Sequence, residues 1–340
     1  MNVFVTGPTG WIGSAVVDQL LATGHQVTDL ARSDASAAML EAKGVAVHRG
    51  ELDDPASLRS GAHSADAVVH LAFKHNFADL AASNIAERNA VQALCETLVG
   101  SGRPLLLASG LAFLTPGHHV AEDQSSTAHG VESMRGGAEN LALDWAGRGV
   151  NTIITRLPPS VHGDGDPWFT AALVQTARAH GVSAYIDDGA NRWSAIHRGD
   201  AARIVQLALD TPAPAGSILH AAAEDGVPTR EIAEAIGRGL ELPVASVPAA
   251  MAPDRFGWLA MFFGLDVAAS NDATRKLLDW TPSGPPDRGP RRRLLLPLTP
   301  NTEQQAPRKS HDTASLDVPS GTSIDAPARR RPAPAPAPAV

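Results

Sequence analysis

Thr6-Gly7-Pro8-Thr9-Gly10-Trp11-Ile12-Gly13 carries more structural information than any other segment of this 340-residue chain. An apolar run at residues 2–6 leads into it, and Ser14-Ala15-Val16-Val17-Asp18-Gln19-Leu20-Leu21 leads out at helical spacing until Gly24 stops it. A G-x-x-G-x-x-G turn between a strand and a helix has a specific physical meaning. Gly7 permits the tight turn, Gly10 lets the backbone approach a pyrophosphate, and Gly13 lets the helix pack closely on the strand. The helix N-terminus then offers free N–H groups and a positive dipole end to phosphate. Thr6, Gly7, Thr9, Gly10, Trp11, Ile12 and Gly13 are the first expected cofactor contacts.

Outward from this turn the chain alternates. Gln26–Ala31 reads as a second strand, followed by a helix near 35–43, a strand at 45–49, a short helix at 55–61 and a strand at 67–72. A longer helix fits 77–101, then a strand at 104–109, a helix at 130–148 and a strand from Asn151 to Arg156. Strands alternating with helices imply right-handed crossovers and a parallel sheet covered on both faces, the doubly wound α/β pattern of a Rossmann fold. Leu105-Leu106-Leu107 is apolar without a break, as a strand buried on both faces requires.

Residues 1–156 are thus expected to be an NAD(P)-binding Rossmann domain. Helices at 168–181, 199–210 and 228–240 point to a smaller substrate-binding lobe over 157–287, interleaved with the core. Residues 288–340 hold ten prolines and the triplets Arg291-Arg292-Arg293 and Arg329-Arg330-Arg331, a composition that predicts a disordered, solvated tail.

The end of the second strand selects the dinucleotide. An acidic residue there holds the ribose 2′-OH of NAD, whereas a basic one accommodates the 2′-phosphate of NADP. Leu30-Ala31-Arg32-Ser33 places Arg32 to grip a phosphate, with the Ser33 hydroxyl beside it, and favours NADP, NAD remaining possible. Asp29, inside the strand, is the competing NAD ligand. Glu51-Leu52-Asp53 falls where Leu52 can flank adenine, while Asp53 or Asp54 caps the next helix.

Composition narrows the function classes. Net charge is −8, and the last 53 residues carry nine Lys/Arg against four Asp/Glu, which leaves −13 on residues 1–287. An acidic body argues against nucleic acid as the partner. Cys95 is the sole cysteine, so internal disulfides and multi-cysteine metal sites are excluded, and it reads as a small buried hydrophobe on a helix. Met1 runs directly into the strand pattern at residues 2–6, which reads as no secretory leader, and no apolar run approaches the ~20 residues of a membrane helix. The expectation is a soluble, cytoplasmic protein without a membrane partner, acting on a small molecule, possible as a homodimer. His118-His119 read as an exposed loop rather than a metal site.

With these residues in place, the chain resembles the extended and atypical short-chain dehydrogenase/reductase superfamily, also called the NAD-dependent epimerase/dehydratase family, over about residues 1–280. The resemblance rests on Thr6–Gly13, Val68-Val69-His70-Leu71-Ala72, Arg156-Leu157-Pro158-Pro159-Ser160-Val161-His162-Gly163 and Trp193-Ser194-Ala195-Ile196-His197-Arg198-Gly199-Asp200. It implies cofactor contacts at Ala72 and Pro158, and a link between His197 and Asp200. It further implies a serine after the fifth strand, matched by Ser109, and a Tyr-x-x-x-Lys on the next helix, in which tyrosine gives the proton and lysine lowers its pKa. That pair is missing. Tyr185 is the only tyrosine and Gly189 stands four residues on. Counting back from Ala138-Glu139 puts Val131 at the tyrosine position and Arg135 at the lysine position.

Ser109 and Arg135 are therefore the catalytic candidates. Lys74, His75, His162, His197 and Tyr185 could border the site, although Tyr185 reads as packing. Three functions follow: an NAD(P)H-dependent oxidoreductase acting on a small carbonyl-like substrate without the usual pair, a non-catalytic NADP(H)-binding sensor, or a sugar-nucleotide-type epimerase/dehydratase. Phe256, Trp258, Leu259, Met261, Phe262 and Phe263 suggest a hydrophobic lid, a subunit contact or a buried helix face.

Overall fold

The structure, a computed structural model, describes residues 1–76, 79–114 and 117–284. The expected tail at 288–340 and the first two residues of the expected helix at 77–101 lie outside the described residues.

Chain order begins β1 (Asn2–Thr6), α1 (Trp11–Ala22), β2 (Gln26–Ala31), α2 (Asp34–Glu41), β3 (Ala46–Arg49), α3 (Pro55–His63), β4 (Ala67–His70), α4 (Leu80–Leu98) and β5 (Pro104–Gly110). It continues through β6 (His119–Val120), α5 (Ala138–Ala146), β7 (Asn151–Leu157), β8 (Ser160–His162), α6 (Phe169–His180), β9 (Ser183–Ile186), β10 (Arg192–His197) and α7 (Arg198–Asp210). It closes with β11 (Ser217–His220), β12 (Glu224–Pro228), α8 (Thr229–Leu240), β13 (Val244–Val247), α9 (Ala252–Phe256), α10 (Ala260–Phe263), β14 (Ala268–Ala269) and α11 (Asp272–Leu278).

Seven of these strands form one parallel sheet in the order β11-β7-β5-β4-β1-β2-β3. The chain winds outward from β1 to β3, then reverses to lay β4 on the other side of β1. That reversal opens a crevice beyond the carboxyl ends of β1 and β4, where doubly wound sheets bind ligands. Parallel strands need helical crossovers, so both faces are covered. Val3, Val5, Val69, Leu106 and Ile153 pack toward Val16, Leu20, Leu40, Ile204 and Leu278 of α1, α2, α7 and α11. Phe4, Val68, Leu105, Leu107 and Ile154 face Leu58, Leu94 and Ala142 of α3, α4 and α5. Each such Val, Leu or Phe, fully buried, contributes about 1.5–3 kcal/mol.

A third cluster gathers Trp193, Ile232, Phe256, Phe262 and Phe263 around the small sheets β12-β10-β8 and β13-β9. The chain does not stay there: β11 returns to pair with β7 in the main sheet. Cys95 is buried on α4, and burial pushes its thiol up to about 12. Among the described residues no helix is long and apolar enough to cross a membrane.

One element departs from the sequence expectation. The helix expected over 130–148 begins only at Ala138. Ahead of it Arg135, Gly136 and Gly137 adopt left-handed conformations in succession, with φ of 53°, 60° and 62°. The cause is the close passage of α4: a Cβ on Gly136 would stand 2.3 Å from the Asn84 carbonyl oxygen. Glycine alone tolerates that approach, and two glycines in a row oppose helix extension.

Asp29 sits in β2 with no exposure. Burial pushes its carboxyl up to about 7, with Lys43 opposing only in part. A carboxyl whose pKa is raised by folding stabilises below its unfolded pKa, near 3.8, and that advantage is lost as pH rises through 7. Asp29→Asn, which cannot ionise, is expected to exceed the wild type in stability by roughly 2–4 kcal/mol above pH 8. Urea midpoints should show the gap closing between pH 7 and pH 4; a constant gap would contradict the burial argument.

Candidate active site

A cavity of about 490 Å³ opens at the crevice between β1 and β4. One wall is the glycine turn. Gly7 has a φ of 73°, and a Cβ there would stand 2.8 Å from the Ala72 nitrogen. Gly10 N donates to the Gly7 carbonyl at 3.1 Å. A Cβ on Gly13 would stand 2.0 Å from that same oxygen, so helix and turn touch through backbone alone. Gly10 caps α1 in an extended conformation, without a side-chain cap and without an acidic residue in the first turn. Its positive end is left for a ligand. Gly7, Thr9, Gly10, Trp11, Ile12 and Gly13 all line the cavity. Trp11 does more: its Nε1 donates to the Val161 carbonyl at 2.7 Å, and the Arg198 guanidinium lies 4.3 Å from the ring centre.

Thr6 needs amending. It is fully buried behind the wall, where its Oγ1 bonds His70 Nδ1 at 2.8 Å and accepts from Ala72 N at 3.3 Å. It shapes the turn and does not line the cavity.

At the end of β2, Arg32 and Leu52 line the cavity, together with Glu51 and Ser36. Arg32 is exposed and, among the described residues, has no carboxylate partner, whereas neighbouring Arg49 pairs with Asp34. Ser33 also needs amending. Its hydroxyl is committed to the N-cap of α2, accepting from Ser36 N at 3.2 Å, while Ser36 Oγ accepts from Ser33 N at 3.1 Å. The reciprocal capping box turns Ser36, not Ser33, to the cavity. Asp29, the competing ligand, lies inside β2 away from the lining.

On the far side, Ala72, Ser109, Arg135 and Pro158 line the same cavity. Ser109 is the penultimate residue of β5, which pairs with β7 through Ser109 and Arg156. Arg156 is itself buried, bonded to Glu139 Oε1 at 2.6 Å and to the Gln124 carbonyl at 2.8 Å. That pair fixes the start of α5 against the sheet. Arg135 is held from behind: its Nη2 donates to Glu87 Oε1 at 2.5 Å, and its guanidinium lies 4.6 Å from the centre of the Phe73 ring. His70 Nε2 stands 3.5 Å from the other Glu87 oxygen, an electrostatic contact too long for a good hydrogen bond. Burial alone would raise the fully enclosed Glu87 carboxyl, but Arg135 and His70 outweigh it and hold it below the ordinary range. A buried line therefore runs from Thr6 through His70 and Glu87 to Arg135.

The remaining candidates divide. Lys74 and His75 line the cavity; Lys74 is paired with Asp53. Burial, then the Arg135 charge, lowers the His75 imidazole, so it is uncharged near neutral pH. Tyr185 packs in β9 under the Arg230 guanidinium, 5.2 Å from its ring centre, and His162 and Val131 are likewise outside the lining. His197, expected to bond Asp200, instead caps α7 by accepting from Gly199 N at 3.2 Å. Asp200 accepts from Ser283 N at 2.9 Å and Gly284 N at 2.9 Å. His119 is exposed in β6, 3.9 Å from Asp225.

Sequence reasoning missed Glu87, which reads as an ordinary helix glutamate; the Gly136-Gly137 pair was the available sign that the chain breaks beside it. It also missed Asp166 and Trp168 on the lining. Asp166 accepts from Trp168 N at 2.8 Å, and burial raises its carboxyl.

Residues 3–222 match the model of the NAD dependent epimerase/dehydratase family. The uncharacterized protein YLL056C of Saccharomyces cerevisiae is 40% identical over 284 residues, which is 83% of this chain and 95% of that protein. The 2'-dehydrokanamycin reductase of Streptomyces kanamyceticus is 27% identical over 262 residues, 75% of this chain and 72% of that one. A short-chain dehydrogenase/reductase superfamily protein from Agrobacterium tumefaciens, solved with bound NAD, aligns with a TM-score of 0.66 at 20% identity, over 83% of this chain and 93% of that one. At that identity the likeness speaks for the fold.

The glycines make separable predictions. Gly10→Ala places its Cβ 3.2 Å from the Gly7 oxygen, a few tenths of an ångström too tight, in a backbone conformation alanine accepts. Its melting temperature should move little while calorimetric nucleotide binding falls at least tenfold. Gly13→Ala forces a backbone collision, so both should fall together.

Proposed function

The chain belongs to the NAD-dependent epimerase/dehydratase family of the short-chain dehydrogenase/reductase superfamily, and from that membership we propose an NADP(H)-dependent reductase of a small carbonyl substrate. One observation carries the reading: a single cavity is lined both by the uncapped N-terminus of α1 and by Ser109 and Arg135. The residues present fit a dinucleotide, because the uncapped start of α1, with no acidic residue in its first turn, lines the cavity beside the side-chain-free Gly7 and Gly10.

A bound nicotinamide cofactor supplies hydride to the carbonyl carbon. The protein does the rest. The α1 terminus binds the diphosphate, Leu52 flanks the adenine, and Arg32 holds the 2′-phosphate, with the Ser36 hydroxyl nearby. Negative charge gathers on the carbonyl oxygen as its carbon is reduced, and the Ser109 hydroxyl and Arg135 guanidinium donate to it. Arginine, with a pKa above ~12, stays charged and gives up no proton. The proton that completes the alcohol passes from water through the Ser109 hydroxyl. Glu87 acts through Arg135, as a positioning residue.

A dinucleotide-binding sensor is the second reading, favoured by the position of Tyr185 away from the cavity lining. NADPH oxidation across aldehydes, ketones and imines separates the two: binding without turnover on every substrate supports the sensor.

A charge-assisted contact of about 1.5–3 kcal/mol implies that Arg32→Asp weakens NADPH relative to NADH by roughly 10- to 100-fold. Unchanged preference would defeat the NADP assignment. Glu87→Gln keeps the side-chain shape and removes its charge; kcat should fall about tenfold or more, equivalent to about 1.4 kcal/mol, with NADPH affinity within about twofold. Equal kcat in the two proteins would remove Glu87 from the mechanism.

A further inference from the structure

Aromatic residues are scarce in this chain, eight Phe, six Trp and one Tyr in 340 residues. Six of them, Trp11, Phe73, Trp168, Phe169, Trp258 and Phe262, line the one cavity. Four of these gather at the end built by α6 and the α9–α10 segment. Phe169 stands 5.5 Å from Trp258 and 5.2 Å edge-to-face from Phe262, and Trp258 and Phe262 are 6.2 Å apart. The uncharged His75 ring lies 4.6 Å from Trp168, tilted by 37°. Phe169 and Phe262 are rooted in the core around Trp193, at 5.7 Å from Phe169. Trp168 and Trp258, however, line the cavity and remain 37% and 43% exposed. Large, partly exposed rings gathered on a concave wall mark a ligand surface.

Charge narrows the ligand further. The Lys and Arg side chains lining the cavity are Arg32, Lys74 and Arg135. Lys74 is paired with Asp53 and Arg135 with Glu87. Arg32 lies at the end of β2, the strand that the cofactor reading assigns to the 2′-phosphate. No unpaired cation among the described lining residues is left to neutralise a second diphosphate, so a sugar nucleotide is poorly served at the aromatic end.

We propose that the carbonyl substrate is a planar aryl aldehyde or ketone without a phosphate group, its ring system packed against Trp168, Phe169, Trp258 and Phe262 and its oxygen directed to Ser109 and Arg135. This rests on the NADP(H) reductase reading. Reduction adds hydride to the carbonyl carbon and one proton to its oxygen, giving the aryl alcohol while NADPH becomes NADP⁺.

The full-length protein is first titrated with NADPH, then assayed with 2-naphthaldehyde, cyclohexanecarbaldehyde and UDP-galactose, with quenching of tryptophan fluorescence as the binding readout. The expected result is a kcat/KM for 2-naphthaldehyde at least tenfold above that for cyclohexanecarbaldehyde, and no quenching by UDP-galactose. Trp168→Ala and Trp258→Ala, both at partly exposed positions, should each raise the KM for 2-naphthaldehyde about five- to tenfold, with NADPH affinity within about twofold. Equal kcat/KM for the two aldehydes, tighter binding of UDP-galactose, or unchanged KM in both variants would overturn the proposal. Absence of NADPH binding would instead defeat the reductase reading beneath it. Quenching by 2-naphthaldehyde without turnover would support the aromatic site and discard catalysis.

Discussion

Everything in this molecule is arranged around one backbone contact, the meeting of the Gly7 carbonyl with Gly13 at the foot of α1. Neither residue has a side chain, so the helix starts where the strand ends and its terminus is aimed down the crevice between β1 and β4. The parallel sheet, its two helical layers and the reversal of winding all bring other walls to that point. A Cβ on Gly13 would stand 2.0 Å from the Gly7 carbonyl oxygen, and one on Gly7 2.8 Å from the Ala72 nitrogen.

The opposite wall is built from buried charge instead of bare backbone. Arg135 is a non-glycine residue in a left-handed conformation, which costs about 1–2 kcal/mol. Glu87 and the Phe73 ring offset that cost and hold the guanidinium at the cavity. The Glu87 charge would be expensive alone; it is sustained by Arg135 on one side and His70 on the other. Because His70 also bonds Thr6, the glycine turn and the Arg135 wall share a single polar core.

Local pattern made six of the seven strands of the main sheet legible; β11 was not among them. Continuous apolar runs such as Leu105–Leu107, and helices with clear stops such as Gly24, depend on neighbours a few residues away, and β2 falls where its residues predict. The glycine turn between β1 and α1 was legible for the same reason. What depended on distant packing was not. Glu87 looks like any helix glutamate until α5 and β4 enclose it. Residues 130–137 carry helix-compatible spacing, yet α4 passes too close for a helix there. Thr6 and Ser33 have the right chemistry for a nucleotide but spend it inside the protein, one on His70 and the other on a helix cap. The spacing of Ser33 and Ser36 was a visible sign of that cap.

Trp11 reaches from the first turn of α1 to the Val161 carbonyl of β8, with Arg198 of α7 stacked on its outer face. The indole is thus a strut between the glycine turn and the elements that follow β7. One hydrogen bond and one stacked cation join the start of α1 to β8 and α7. Losing the indole would therefore remove both of these links between the glycine turn and the β8–α7 pair at once.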